Sequence, residues 1–129
     1  MIKRVLCLTL LFCVSACQDN QNIDVSQLSA EEKKSLQALA WLKDSNVERD
    51  VQAALDKQDS RLLSMMGRTT ELPGVPSELT SRAKSACGIR YVEGSTDVVQ
   101  GEVHLKWLQQ AYDYAAAYNQ LIIKNCLEN

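Results

Sequence analysis

The stretch Glu102–Leu127 constrains this chain more than any other part of it, because apolar residues recur through it at helical spacing for its whole length. One helix over these residues runs on the order of 39 Å at 1.5 Å per residue, enough to cross a small domain. Placed at about 100° intervals, Val103, Trp107, Ala111, Tyr114, Ala115, Tyr118, Leu121 and Ile122 form a broad apolar stripe, with Leu105, Tyr112, Ala116, Ile123 and Leu127 beside it. Only Glu102, Lys106, Gln109, Gln110, Asp113, Gln120 and Lys124 define a polar strip. Most of the circumference needs cover, so the rest of the chain is expected to pack around this helix as a hub.

The elements available for that packing are short. Ser29-Ala30-Glu31-Glu32 has the capping-box spacing, a hydroxyl for the free amide three residues on and a carboxylate reaching back. Leu36, Leu39, Ala40 and Lys43 continue at helical spacing, widened by Trp41 and Leu42. Ser45-Asn46-Val47-Glu48 repeats the box and opens a second helix to about Lys57, its apolar face Val47, Val51, Ala54 and Leu55. Asp59 to Met66 reads as a further helical turn. From Gly67 to Ser77 Pro73 and Pro76 impose an irregular loop, since proline cannot donate to a ladder. Ser77-Glu78 opens a short helix to about Ala86, stopped by Gly88, and Ile89-Arg90-Tyr91-Val92 reads as a short strand. A lone strand is unstable, so its expected partner is Arg68–Leu72, in a minor two-stranded ribbon. The fold class is therefore mainly α: a small helical domain with a long C-terminal helix.

The N-terminus is of a different kind. Met1-Ile2-Lys3-Arg4 is a short positive region, Val5 to Val14 is apolar apart from Thr9, and Val14-Ser15-Ala16 supplies small residues for cleavage. As a helix this apolar run spans only about 18 Å, short of the ~30 Å hydrocarbon core, so it reads as an export signal and not a membrane span. Val14-Ser15-Ala16-Cys17 resembles the lipobox of bacterial lipoproteins, a likeness confined to residues 1–17. It implies that residues 1–16 are removed and that the Cys17 sulfur carries diacylglycerol, a covalent lipid being the only cofactor expected. Two or three acyl chains give durable anchoring. Gln18 in place of Asp implies sorting to the outer membrane, with the domain facing the periplasm. Residues 17–28 are polar and amide-rich, as a tether should be, and the folded domain covers 29–129.

Cysteine number supports this processing. Cys7 and Cys13 leave with the signal, and of Cys17, Cys87 and Cys126 a lipidated Cys17 leaves an even pair in an oxidising compartment. A Cys87–Cys126 disulfide closes a loop of about 40 residues, valued at ~4 kcal/mol by chain entropy. A redox or metal pair would call for Cys-x-x-Cys spacing, which is missing. Loss of Lys3 and Arg4 leaves 12 basic against 16 acidic side chains, a formal −4, which argues against a nucleic-acid partner.

Candidates for chemistry are few. His104 is the only histidine; it falls at the edge of the apolar stripe, and only Asp97 and Glu102 are placed to join it as a weak metal-ligand set. No nucleophile elbow, phosphate loop or dinucleotide fingerprint occurs, so no catalytic residue is assigned. Two segments are candidate partner surfaces: the proline-stiffened loop with Arg68, Leu72, Pro73, Val75 and Pro76, and the second stripe with Leu105, Tyr112 and Ile123. Short stretches such as Tyr114-Ala115-Ala116-Ala117-Tyr118-Asn119 resemble small proteobacterial envelope proteins of no known activity. The reading is a membrane-anchored binding or accessory module with an envelope protein partner. Its rivals are a small hydrolase or metal-dependent enzyme using His104, and an inhibitor or immunity protein of an envelope enzyme that inserts the proline loop.

Overall fold

A computed structural model describes residues 24–67 and 72–128. The signal segment, Cys17, the start of the tether and Arg68 lie outside the described residues. Helix α1 covers Ala30–Ala38, α2 Val47–Asp56, α3 Thr80–Cys87 and α4 Glu102–Leu127, while strands β1 (Leu62–Ser64) and β2 (Ile89–Tyr91) make one small sheet. The protein is thus mainly helical, organised on a long C-terminal helix whose bounds match the sequence expectation. Helices α1, α2, α3 and strand β1 all pack on α4. None of the described helices is long and apolar enough to cross a membrane.

The starts of α1 and α2 are built by short polar side chains. Ser29 Oγ accepts from the Glu32 amide at 3.0 Å, as the box spacing requires. The Glu32 carboxylate does not reach back, however: it crosses to α4, as described below. At α2 the cap is Asn46 and not Ser45, its Oδ1 accepting from the Arg49 amide at 2.9 Å while Asp50 Oδ2 accepts from the Asn46 amide at 3.1 Å. Helix α1 ends at Ala38 and tightens into a 3₁₀ turn over Ala40–Asp44, which turns the fully buried Leu39 into the core. Helix α2 closes with Gln58 in the left-handed region (φ 59°), its amide donating to Leu55 O and the Asp59 amide to Ala54 O. That is the Schellman pattern with glutamine where glycine is favoured.

The strands correct the sequence reading. Residues 62–64, expected as a helical turn, form β1, and β2 pairs with β1 in parallel (Leu62↔Ile89, Leu63↔Arg90, Ser64↔Tyr91), while the partner expected for β2, 68–72, lies outside the described residues except for Leu72. A short apolar run fits helix or strand equally by periodicity. What decides here is that β1 is buried on every side. Parallel pairing demands a crossover, and the chain between the strands includes α3.

The other edge of β1 meets no strand among the described residues. Leu62 and Ser64 bond toward the β2 side, through Leu62 N–H to Gly88 O and Val92 N–H to Ser64 O, both at 2.9 Å. Leu63 turns its backbone the opposite way, where Asn119 of α4 takes the place of a third strand. Its Oδ1 accepts from the Leu63 amide at 2.7 Å, and its Nδ2 donates to Leu63 O and Pro73 O, each at 2.8 Å. A fully buried amide so bonded satisfies three backbone groups that the core would otherwise leave without partners.

The buried face of α4 is therefore His104, Leu108, Ala111, Ala115, Tyr118, Asn119 and Ile122. It is rotated from the stripe read by hydropathy, which included Leu121 and Val103 and left His104 at the edge. The loop over 72–75 packs on this helix as well. At Gly74 (φ 72°) a Cβ would meet the Ala116 carbonyl oxygen at 2.5 Å, so no larger residue allows the approach. Cys87 at the end of α3 and Cys126 in the last turn of α4 form a disulfide with Cα atoms 5.2 Å apart, across a sequence separation of 39.

Candidate functional site

The sequence candidates sort cleanly by burial. His104 is fully buried. Its Nδ1 accepts from the Gln100 amide at 3.0 Å, which puts the ring proton on Nε2, and Nε2 is buried without a hydrogen-bond partner. The neutral ring therefore offers no accessible lone pair to a substrate. Burial pushes the His104 pKa below its usual value, against an opposing pull from the Glu32 charge. Protonation would also break the bond from Gln100.

The acid beside His104 is Glu32, not Asp97 or Glu102, which are exposed. Glu32 Oε1 accepts from the His104 amide at 3.2 Å. Because Gly101 at the N-cap has no side chain, the carboxylate of α1 caps α4 from outside, where the helix dipole also favours a negative charge. A Cβ at 101 would collide with that carboxylate. The group is thus a helix junction. Among the described residues no three His, Cys, Asp or Glu side chains are placed to hold a metal.

The proline loop is a core element over much of its length. Leu72, Pro73 and Val75 are buried, so of the residues expected to present this surface only Pro76 among those described is exposed. The physical reason is the apolar demand of α4, met by this loop through Gly74 and the Asn119 bond to Pro73 O. Ile123 is half-buried against the core. Leu105 and Tyr112 stay out, at 53% and 40% exposure, and line one shallow groove with Met65, Met66, Leu108 and Gln109, about 200 Å³ in volume.

A second concavity, of about 220 Å³, is lined by Trp41, Leu63, Arg90, Val92, Glu93 and Tyr114. No local motif announces it, since its walls come from the turn after α1, from β1, β2 and the residues following it, and from α4. Its aromatic wall is fixed by its polar tips. Trp41 Nε1 donates to Glu93 O at 3.0 Å, and Tyr114 OH donates to Asp50 Oδ2 at 2.7 Å. The Trp41 and Tyr114 rings meet edge to face, with centroids 5.1 Å apart. Burial and the Asp50 charge raise the Tyr114 hydroxyl well above its usual pKa. Burial raises the Asp50 carboxyl, but hydrogen bonds from Tyr114, the Asn46 amide and Arg49 outweigh it and leave the pKa below the usual range. Arg90 closes the cleft, stacked 5.5 Å from the centre of the Tyr118 ring and donating to Tyr118 OH at 3.4 Å.

No family model, no curated protein and no solved structure matches this chain.

Proposed function

We propose that the chain is a lipid-anchored protein of the bacterial cell envelope, held through Cys17 in the outer membrane and facing the periplasm, whose folded domain is a binding or accessory module for another envelope protein. The observation that carries this reading is the Cys87–Cys126 disulfide. A structural bridge of this kind persists where thiols are oxidised. It takes up both other cysteines that remain after signal removal and leaves Cys17 for the acyl chains. The lipobox-like Val14-Ser15-Ala16-Cys17 and the amide-rich stretch behind it support the same address.

The surface offered for the partner is the groove of Leu105 and Tyr112 with Met66, three large apolar side chains left exposed on one side of α4. The inserting-loop reading is weakened, since Leu72, Pro73 and Val75 serve the core. A hydrolytic role for His104 is weakened by its closed ring environment.

Two measurements test the reading. Mass spectrometry of the membrane-extracted protein should find an N-terminal peptide beginning at Cys17 with diacylglycerol mass, and an N-terminus at Cys17 lacking lipid would refute the anchor. A photo-crosslinking residue at position 112 should capture one envelope protein in living cells, and Leu105→Glu should abolish the adduct. An adduct unchanged by Leu105→Glu, or none at all, would remove the groove as the partner surface.

A further inference from the structure

We infer that the cleft closed by Arg90 binds a small carboxylate carrying an apolar, ring-sized body, met either as a free acid or as the C-terminal carboxylate of a peptide. This deepens the binding-module reading but uses a different place in the fold from the Leu105–Tyr112 groove. The two share no lining residue.

The charge balance around the cleft points to an anion. Asp59 is held by Arg61 through bonds of 2.9 and 3.0 Å, and Asp50 by Arg49, the Asn46 amide and Tyr114. Asp50 and Asp59 are therefore committed. Arg90 is the cation that lines the cleft itself: among the described residues it makes no ion pair, and its single side-chain hydrogen bond, to Tyr118 OH, is long at 3.4 Å. A guanidinium is a rigid fork that suits a carboxylate bidentately, and stacking on Tyr118 fixes its plane in advance. Glu93 sits at the mouth and is exposed, where solvent screens its charge.

The remaining walls select the body of the ligand. Trp41, Tyr114, Leu63 and Val92 present ring faces and aliphatic carbons, with the polar tips of both aromatic residues already bonded elsewhere. At ~30 Å³ per water, 220 Å³ holds about seven waters, which a ligand of roughly ten heavy atoms would displace. Small sites with few convergent polar groups on apolar walls are the usual form of ligand pockets.

The test uses the purified mature protein and two matched probes, phenylacetate and its neutral isostere phenylacetamide. The indole N–H resonance of Trp41, assigned through Trp41→Phe, reports occupancy by NMR. Phenylacetate should shift it saturably, and phenylacetamide should bind at least about tenfold more weakly, the scale of one charge-assisted bond. Arg90→Gln should bring the two probes to equal affinity. Equal binding of acid and amide to the unaltered protein, or no saturable shift below roughly 10 mM with either, overturns the inference even if Arg90→Gln does not fold. N-acetylglycyl-phenylalanine distinguishes the sources: tighter binding than phenylacetate assigns the site to peptide C-termini, and weaker binding assigns it to free acids. The result leaves the anchor and the groove untouched, since neither contributes to the signal.

Discussion

Replacing Asn119 with leucine is the most informative single perturbation of this fold. The substitution keeps the branching and heavy-atom number of a fully buried side chain and replaces its amide with two somewhat bulkier methyl groups. Three backbone groups then lose their partners: the Leu63 amide, the Leu63 carbonyl and the Pro73 carbonyl, now bonded at 2.7, 2.8 and 2.8 Å. Each buried group left without a bond costs ~1–3 kcal/mol. Allowing for some relaxation of the loop, the total is about 3–5 kcal/mol, a large share of the ~5–15 kcal/mol available to a domain of this size. At ~4–8 °C per kcal/mol, the melting temperature should fall by roughly 12–40 °C.

The assay is thermal and guanidinium unfolding by circular dichroism with the disulfide kept oxidised, together with hydrogen exchange at the Leu63 amide. Asn119→Asp sharpens the test, because one oxygen still accepts from Leu63 but the other now faces two carbonyl oxygens. Burial raises the pKa of that carboxyl in the folded state, so its cost grows as pH rises above ~4 and shrinks toward acid. The reasoning is refuted if Asn119→Leu stays within about 1 kcal/mol of the parent, the spread of ordinary tolerated substitutions, or if the Leu63 amide keeps its protection in that variant.

Three further outcomes follow from the same structure. Reducing Cys87–Cys126, which closes a separation of 39 residues, should cost about 4 kcal/mol by chain entropy, read as a fall in denaturation midpoint on adding a reductant; an unchanged midpoint would refute it. Gln58→Gly should stabilise by about 0.5–1 kcal/mol in the same assay, because the left-handed backbone at φ 59° strains a side-chain-bearing residue but not glycine. His104, with its folded pKa lowered from 6.5, should make stability pH-dependent. Below pH 6.5 the unfolded chain binds a proton the folded chain resists, so stability falls as pH drops, by up to about 1.4 kcal/mol per unit. His104→Gln should flatten that slope between pH 6.5 and the carboxylate range near pH 4, measured as the midpoint across pH.

How far the sequence disclosed this arrangement depends on range. Helix α4 was legible end to end because its signal is local and repeated, and the disulfide was legible because the expected loss of Cys7 and Cys13 with a signal and lipidation of Cys17 leave Cys87 and Cys126 to pair. The rotation of the buried face was not. Hydropathy does not mark His104 or Asn119 as core, yet Asn119 is buried where it bonds backbone from β1 and the loop at Pro73, and His104 where its ring accepts from the Gln100 amide four residues before it. Strand β1 was missed for a related reason: Leu62-Leu63-Ser64 carries no period of its own, and its form is set by β2 on one edge and Asn119 on the other. The cleft had no local signal at all, since Trp41, Arg90 and Tyr114 are brought together only by packing.

The same polar side chains that hid the core orientation also separate structural from functional residues. Glu32 and His104 secure the start of α4, Asn119 its middle and the disulfide its end, and in each of the polar junctions the carboxylate, ring or amide is spent on backbone groups. A residue so used has little left to offer a ligand. Arg90 is different, being held chiefly by a stacked ring and making no ion pair among the described residues, and Leu105 and Tyr112 are different in another way, being large and apolar but exposed. At about 100° per residue, Tyr114 on the cleft and Leu105 on the groove lie on roughly opposite sides of α4. One helix fixed along its length can therefore present two independent surfaces, so a substitution that silences Arg90 should leave crosslinking at Tyr112 intact, and the reverse should hold for Leu105→Glu and the Trp41 resonance. Loss of both signals from either change would mean that the substitutions act by unfolding the domain and not at separate sites.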